Sequence, residues 1–309
     1  MNLERALELA ERGRGTTHPN PVVGAVLVRD GEVVGEGWHE RKGGPHAEVA
    51  ALAAAGDRAR GETLYVSMEP CAHHGSTPPC TEAIIAAGVA KVVAGSLDPN
   101  PEARGGFEVL RPAGVEVENA DLFAARAQNE AWRVWVSEGR PFVILKLAVT
   151  LDGRVAVPGA RWISGVESRR RVHELRAQVD AVAVGMGTVR ADDPQLTARD
   201  VGAARQPRRL AFGRGPAELE VRSGPLREEL DALAAEGVQS LLLEGGPTLA
   251  AAYLRSDLVD KLMLFIAPRI AGAGTLFAPD LAEPIELRHP TAERLGEDLL
   301  LTAYVHEPR

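Results

Sequence analysis

The chain has 309 residues, 45% of them apolar, and a net charge of −8, which suits two packed domains. Its apolar runs, such as Leu262 to Pro268, are too short to cross a bilayer. The negative charge gives no support for nucleic-acid binding as a main role. Two cysteines, Cys71 and Cys80, make no disulfide framework and fit a reducing cytoplasm. The opening Met1-Asn2-Leu3-Glu4-Arg5 lacks the basic start and apolar stretch of a signal peptide, so none is expected.

Helical and strand patterns alternate, which predicts an α/β architecture. Leu3, Ala6, Leu7 and Ala10 have helical spacing, and Pro19 and Pro21 end any helix there. Val22 to Val28 reads as a strand, turning at Gly31 into a second over Glu32 to Gly37. A helix is expected over His46 to Ala55, closed by Gly56, then a strand over Thr63 to Met68. Thr81 to Ala87 is helical, Lys91 to Ser96 a strand, and Val115 to Val117 a short one. One long helix is expected from about Asp121 to Glu138, broken by Gly139-Arg140-Pro141. The domain boundary is placed there, giving domains of 1–140 and 141–309. In the second, strands are expected at 142–149, 180–184, 208–212, 239–243, 259–267 and 299–306, and helices at 166–177, 226–235 and 247–255.

The densest chemistry lies in Pro45-His46-Ala47-Glu48, Glu69-Pro70-Cys71 and Cys80. One imidazole and two thiolates are zinc ligands, and three of them leave a fourth position for water. Such a water loses its proton near neutral pH and becomes a nucleophile. Glu48, two residues after His46, is placed to shuttle that proton to a departing amine. His46 and Cys80 both open predicted helices, whose positive ends favour thiolate over thiol. The other readings are two buried free cysteines with an unrelated histidine, or a structural zinc with His73 or His74 as fourth ligand, which leaves Glu48 without a role.

The H-x-E…P-C pattern is the signature of zinc-dependent base deaminases, but eight residues separate the cysteines here. The string Glu69-Pro-Cys-Ala-His-His-Gly-Ser-Thr-Pro-Pro-Cys80, with Thr17-His18-Pro19-Asn20-Pro21 and Asp98-Pro99-Asn100-Pro101, closely resembles the bifunctional deaminase/reductase family of riboflavin biosynthesis. The match covers nearly the whole chain. It implies a cytidine-deaminase-like three-layer domain acting on a diamino-pyrimidinone that carries a ribose phosphate, with release of ammonia. It also implies that Asn20, Asp98 and Asn100 hold the substrate, with His39 and His73 as further candidates. Amide and carboxylate groups can read the edge of a pyrimidine. Asn-Pro and Asp-Pro pairs also favour turns without any ligand.

The second half carries Lys146-Leu-Ala-Val-Thr-Leu-Asp-Gly153, Arg161-Trp162-Ile-Ser164, Gly185-Met-Gly-Thr188-Val-Arg-Ala-Asp192 and Glu244-Gly-Gly246-Pro247-Thr248. Glycines at a strand-to-helix turn admit a phosphate, although such turns often serve packing alone. In order and spacing these segments resemble the reductase half of the same family, with a dihydrofolate-reductase-like fold. The resemblance implies NADPH near Ala148, Trp162, Thr188, Asp192, Gly246, Pro247, Thr248 and Leu249. It implies substrate contacts from Lys146, Arg176, Leu196, Arg199 and Glu244. Hydride transfer to the opened ribose would give a ribityl chain, with the nicotinamide carrying the chemistry.

The chain departs from the family around Arg209-Leu-Ala-Phe212, which runs into Gly213-Arg214-Gly215 and quickly on to the helix near Leu226. The domain reads as shortened after Arg199 and after Arg214. That puts one strand and part of the cofactor pocket in question. The alternative is therefore a deaminase with a degenerate reductase domain. A nucleic-acid base deaminase has the charge against it, and a zinc-stabilised binding protein would have its zinc saturated by protein. A homo-oligomer in the cytoplasm, acting on small phosphoribosylaminopyrimidines, is expected.

Overall fold

The computed structural model describes residues 2–75, 78–157, 159–160, 162–277, 281 and 283–309. The chain divides into two compact units, Met1–Glu138 with Pro308–Arg309, and Gly139–Glu307.

In chain order the first unit holds α1 (Asn2–Glu11), β1 (Gly24–Arg29), β2 (Glu32–Trp38), α2 (Ala47–Ala55), β3 (Thr63–Val66), α3 (Cys80–Ala87), β4 (Lys91–Ala94), α4 (Gly106–Leu110), β5 (Glu116–Asn119), α5 (Phe123–Gln128) and α6 (Glu130–Glu138). Its strands form one sheet in the order β2-β1-β3-β4-β5. β1 runs antiparallel to both neighbours, and β3, β4 and β5 run parallel. Alternation along β1 splits its side chains between the two faces. Val26 and Val28 pack with Ala6 and Leu9 of α1, while Ala25 and Leu27 pack with the alanines of α2 and Ile84 of α3. The result is a three-layer sandwich.

Two glycines set how close α2 lies to the hairpin. A Cβ on Gly35 would stand 2.4 Å from the Ala51 carbonyl oxygen, and one on Gly37 would stand 2.4 Å from the Ala51 nitrogen. The long helix expected over Asp121 to Glu138 is in fact α5 and α6, separated at Asn129. The Asn129 side chain accepts from the Val22 N–H and donates to the Val22 carbonyl, both at 2.9 Å. The break thus falls at the residue whose side chain ties this segment to the chain just before β1.

The second unit holds β6 (Phe142–Thr150), α7 (Val166–Gln178), β7 (Ala181–Gly185), α8 (Met186–Asp192), β8 (Arg208–Phe212), β9 (Glu220–Arg222), α9 (Leu226–Ala235), β10 (Ser240–Leu243), α10 (Pro247–Arg255), β11 (Lys261–Ala267), β12 (Arg288–Leu295) and β13 (Asp298–Tyr304). These strands form an eight-stranded sheet, β12-β13-β11-β6-β10-β7-β8-β9. The run from β11 to β9 is parallel, and β13 pairs antiparallel with β11 and β12. Central strands such as β10 are buried along their whole length, as parallel strands covered on both faces must be.

The expected strands and helices of this half are all present. The expectation missed α4, α8, β9 and β12. β9 has three residues and β12 is almost wholly exposed, so neither carries the apolar pattern that marks a strand. β9 pairs with β8, so the sheet does extend beyond the strand where a loss was in question. At the start of the unit, Arg140 and Asp260 form a buried two-pronged ion pair at 2.6 and 2.7 Å.

Candidate metal centre and cofactor crevice

His46 precedes α2 as its N-cap, Cys71 follows β3 by five residues, and Cys80 opens α3. Their ligand atoms all lie within 4.8 Å of one another, and they are the cluster of this kind among the described residues. The Nδ1 atom of His46 is 3.5 Å from the Cys71 sulfur and 3.3 Å from that of Cys80. Tetrahedral zinc with ordinary Zn–N and Zn–S bonds requires N···S edges of about 3.5 Å. The residues present therefore fit zinc.

Electrostatics points the same way. A hydrogen bond from Cys80, helped by His46 and opposed by burial, holds the Cys71 thiol below its ordinary value. The same bond to Cys71, together with burial, pushes Cys80 up. Two buried sulfurs sharing one proton against an imidazole are resolved by a divalent cation, which deprotonates coordinated thiols. His73 and His74 are exposed, and His74 pairs with Glu82 at 3.4 Å. Neither joins the cluster. Ser76 and Thr77 of the string from Glu69 to Cys80 lie outside the described residues, as does Arg161.

Beside the sulfurs opens a cavity of about 210 Å³. Its lining brings together Asn20, His39, Glu48, His73, Asp98 and Asn100, along with the ligands His46 and Cys71. Glu48 is buried, and burial, with the Cys71 charge second, pushes its carboxyl up to about 7. His39 Nδ1 lies 3.0 Å from the Pro45 carbonyl, and its Nε2 lies 3.3 Å from the Asn20 amide nitrogen. A carbonyl only accepts, so the proton sits on Nδ1 and Nε2 accepts from Asn20. Burial lowers the His39 pKa, which suits this neutral form. The Asp98 carboxylate accepts from the Asn100 N–H at 2.8 Å, and Asn100 accepts from the Glu102 N–H at 3.1 Å. The turn chemistry expected of the Asp-Pro-Asn-Pro segment is thus present alongside its place on the cavity.

Two more residues shape this site. Glu69, quoted above only as part of a string, is buried and accepts from the Phe107 and Asp98 N–H groups at 3.0 and 3.2 Å. Gly106 allows the same segment to close, because a Cβ there would lie 1.9 Å from the Pro70 carbonyl oxygen. A buried acid between two motif residues was the available signal for Glu69. Trp132, which closes the cavity from α6, had none.

In the second unit the candidate residues gather at the carboxyl ends of β6, β10 and β7. Lys146 and Ala148 are the two residues of β6 that are not fully buried. Gly246 is the N-cap of α10, and Pro247, Thr248 and Leu249 form its first turn. A Cβ on Gly246 would meet the Thr188 hydroxyl at 3.4 Å, and one on Gly245 or Gly185 would meet Leu249 at 3.1 or 3.5 Å. These distances bring the Gly245-Gly246 turn and the start of α8 into contact across Thr188 and Leu249. Open α/β sheets bind ligands outside the carboxyl ends of their strands, and a helix start favours phosphate. Asp192 is exposed at the end of α8, and Trp162 is exposed under the Arg169 guanidinium, 5.3 Å from the ring centre.

Glu244 is buried between Arg176, at 2.6 and 3.0 Å, and Lys146, at 3.4 Å. Burial raises its carboxyl, but Lys146 and Arg176 together hold it below the ordinary value. Arg176 also donates to the Thr197 carbonyl at 3.1 Å, which fixes the loop of buried Leu196 and exposed Arg199. The Arg199 N–H meets His173 Nδ1 at 3.2 Å. No local pattern points to His173.

The family model for the cytidine and deoxycytidylate deaminase zinc-binding region matches residues 2–96, and that for the RibD C-terminal domain matches residues 141–301. The riboflavin biosynthesis protein RibD of Aquifex aeolicus is 40% identical, the match covering 97% of this chain and 96% of that protein. The chain belongs to the RibD family. The RibD of Escherichia coli is 39% identical over 97% of each chain. Among solved structures, Acinetobacter baumannii RibD is 35% identical with a TM-score of 0.85, covering 98% of this chain and 97% of that one. A Thermotoga maritima diaminohydroxyphosphoribosylaminopyrimidine deaminase/5-amino-6-(5-phosphoribosylamino)uracil reductase is 34% identical with a TM-score of 0.83, covering 98% and 97%. A RibD chain of this family carries both a zinc-binding deaminase domain and an NADPH-dependent reductase domain, and both family models match here.

Proposed function

We infer that this chain is a bifunctional enzyme of riboflavin biosynthesis. It deaminates diaminohydroxyphosphoribosylaminopyrimidine and reduces the ribosyl side chain of the resulting 5-amino-6-(5-phosphoribosylamino)uracil to ribityl, the two activities that the Thermotoga relative is named for. The deaminase domain is assigned to 1–140 and the reductase to 141–309. The observation that carries the reading is the His46, Cys71 and Cys80 cluster opening onto a cavity that also holds the Glu48 carboxyl.

His46, Cys71 and Cys80 would hold zinc, which when bound supplies the Lewis acidity that makes water nucleophilic near neutral pH. Glu48 would accept the proton of the attacking water on a carboxylate oxygen and deliver it to the leaving amine. A buried carboxyl whose proton affinity is raised toward neutrality is suited to both halves of that transfer. Asn20, Asp98 and Asn100 would orient the pyrimidine, with His39 fixing the Asn20 amide. His73 reaches the cavity from its exposed loop and would contact the substrate's outer part.

In the second unit, Ala148, Trp162, Thr188, Asp192 and residues 246–249 would hold NADPH, which supplies the hydride. Lys146, Arg176, Leu196, Arg199 and Glu244 would hold the substrate, with Arg199 exposed and able to face a phosphate. A shortening after Arg199 and after Arg214 would leave every one of these residues in place. The alignment to the Aquifex relative extends over 345 positions against 309 residues here, which supports a shorter chain without locating the difference. Two free cysteines support a cytoplasmic location, and no helix among the described residues is long and apolar enough to cross a membrane.

The test follows ammonia release and NADPH oxidation in the same purified protein. Glu48→Gln should keep zinc, lose ammonia release by several orders of magnitude, and still reduce the deaminated intermediate. Near-normal ammonia release from that variant would remove Glu48 from the mechanism. No NADPH oxidation with the intermediate would leave a deaminase alone.

A further inference from the structure

Behind the deaminase cavity lies a buried cation that none of the roles above uses. Arg133 sits on α6 beside Trp132 and is 4% exposed. Its Nη1 donates to the Leu97 carbonyl at 2.9 Å and reaches the Ser96 hydroxyl at 3.4 Å. Its Nε donates to a main-chain oxygen of Arg309. Ser96 and Leu97 lead directly into Asp98, which lines the cavity. A guanidinium is costly to bury unless it is paired and hydrogen-bonded, so its place here calls for a reason.

We propose that Arg133 is a positioning residue for deamination, holding the Ser96–Leu97 backbone so that Asp98 meets the pyrimidine. The proposal rests on the assignment of Asp98 to the substrate. Three features support it. The planar fork reaches two separate elements at once, the end of the β4 connection and residue 309, which a single-pronged side chain cannot do. Another anchor of the segment is the Glu69 carboxylate on the Asp98 N–H, so Arg133 and Glu69 hold the two ends of the single Leu97–Asp98 peptide. The positive charge also opposes burial, Glu69 and Cys71, all of which raise the Asp98 carboxyl, and it works alongside the Asn100 N–H.

The test is a double-mutant cycle on the full chain, read as deaminase kcat and KM, with zinc content and NADPH-dependent reduction as controls. Arg133→Met should raise KM about ten-fold, the scale of losing a charge-assisted hydrogen bond. kcat should fall less, and zinc and reduction should be unchanged. Arg133→Lys should recover part of the KM. In an Asp98→Asn background, Arg133→Met should add little, because it acts through Asp98. An unchanged KM in Arg133→Met, or full additivity with Asp98→Asn, overturns the proposal. A normal KM in Asp98→Asn alone instead overturns the substrate assignment of Asp98. If Arg133→Met loses zinc, Arg133→Lys decides: a raised KM at full zinc supports the proposal, and an unchanged KM overturns it.

Discussion

Arg176 grips Glu244 with both prongs, Nε to Oε1 at 2.6 Å and Nη2 to Oε2 at 3.0 Å, in a site where Lys146 stands on the same carboxylate. Glu244→Leu leaves two partly buried cations without that anion. Breaking a buried pair from one side costs about 3–5 kcal/mol. The expected outcome is a lower denaturation midpoint for the second unit, with a smaller loss in Glu244→Gln, which keeps hydrogen-bond acceptors. An unchanged midpoint in Glu244→Leu would contradict the network.

Metal removal should act on one unit only. Cys80 is buried at the first position of α3, with its N–H on the Cys71 sulfur at 3.4 Å. Wild-type protein is expected to hold one zinc per chain, and Cys80→Ser to lose most of it with loss of deamination. The cost to the fold should be felt around α2 and α3, because metal binding there is also folding energy. Full zinc in that variant, read by metal analysis, would show that the ligands are others.

Asp98 gives a pH dependence whose sign differs for stability and for binding. Burial, then Glu69 and Cys71, raise its carboxyl from 3.8 to about 6. The folded state therefore holds a proton that the unfolded chain releases, and this contribution to stability is lost as pH rises from about 4 to 6. Binding should run the other way if, as proposed above, the carboxylate accepts from the substrate's N–H groups. Affinity of the pyrimidine for Glu48→Gln, which binds without turnover, should fall about ten-fold per unit below pH ~6. The dependence should vanish when Asp98→Asn is added. Flat affinity across that range in Glu48→Gln would take Asp98 out of the binding site.

Arg214 is a candidate for the 2′-phosphate of NADPH. It follows β8, and its carbonyl accepts from Arg190 Nη2 at 3.0 Å, which brings the Arg190 guanidinium to the same short stretch of backbone. Arg214→Ala should weaken NADPH about ten-fold and leave NADH unchanged, as expected where Arg reads that phosphate. Calorimetric titration of both cofactors into the full-length protein measures this. Equal affinities for the two in the unaltered chain would sink the assignment.

The ligand cluster was legible because metal chemistry restricts both residue type and spacing. His46, Cys71 and Cys80 have few other reasons to stand beside a Glu48. The parallel strands of the second unit were legible for a different reason: strands such as Ser240–Leu243 are apolar throughout and flanked by helical patterns. What escaped depends on partners distant in sequence. Asn129, at the break between α5 and α6, is tied to Val22, and Arg133 is buried against Leu97 and residue 309. Local periodicity carries neither fact. β12 was hidden by its own exposure, with Arg288, His289, Glu293 and Arg294 in a strand that buries almost nothing.

The contact between β2 and α2 has a consequence for how this enzyme can vary. Gly35 and Gly37 hold nothing themselves, yet a single methyl on either would collide with the Ala51 backbone and lift the helix that begins after His46. The metal site is thus gauged by missing atoms two strand residues apart, on a hairpin that contributes no ligand. Alanine at either position leaves every ligand and the Glu48 carboxyl chemically intact. It would still disable the centre by moving one ligand away from the other two. A survey of tolerated substitutions should find these two glycines as intolerant as the cysteines, and a search for catalytic residues by chemistry alone would never select them.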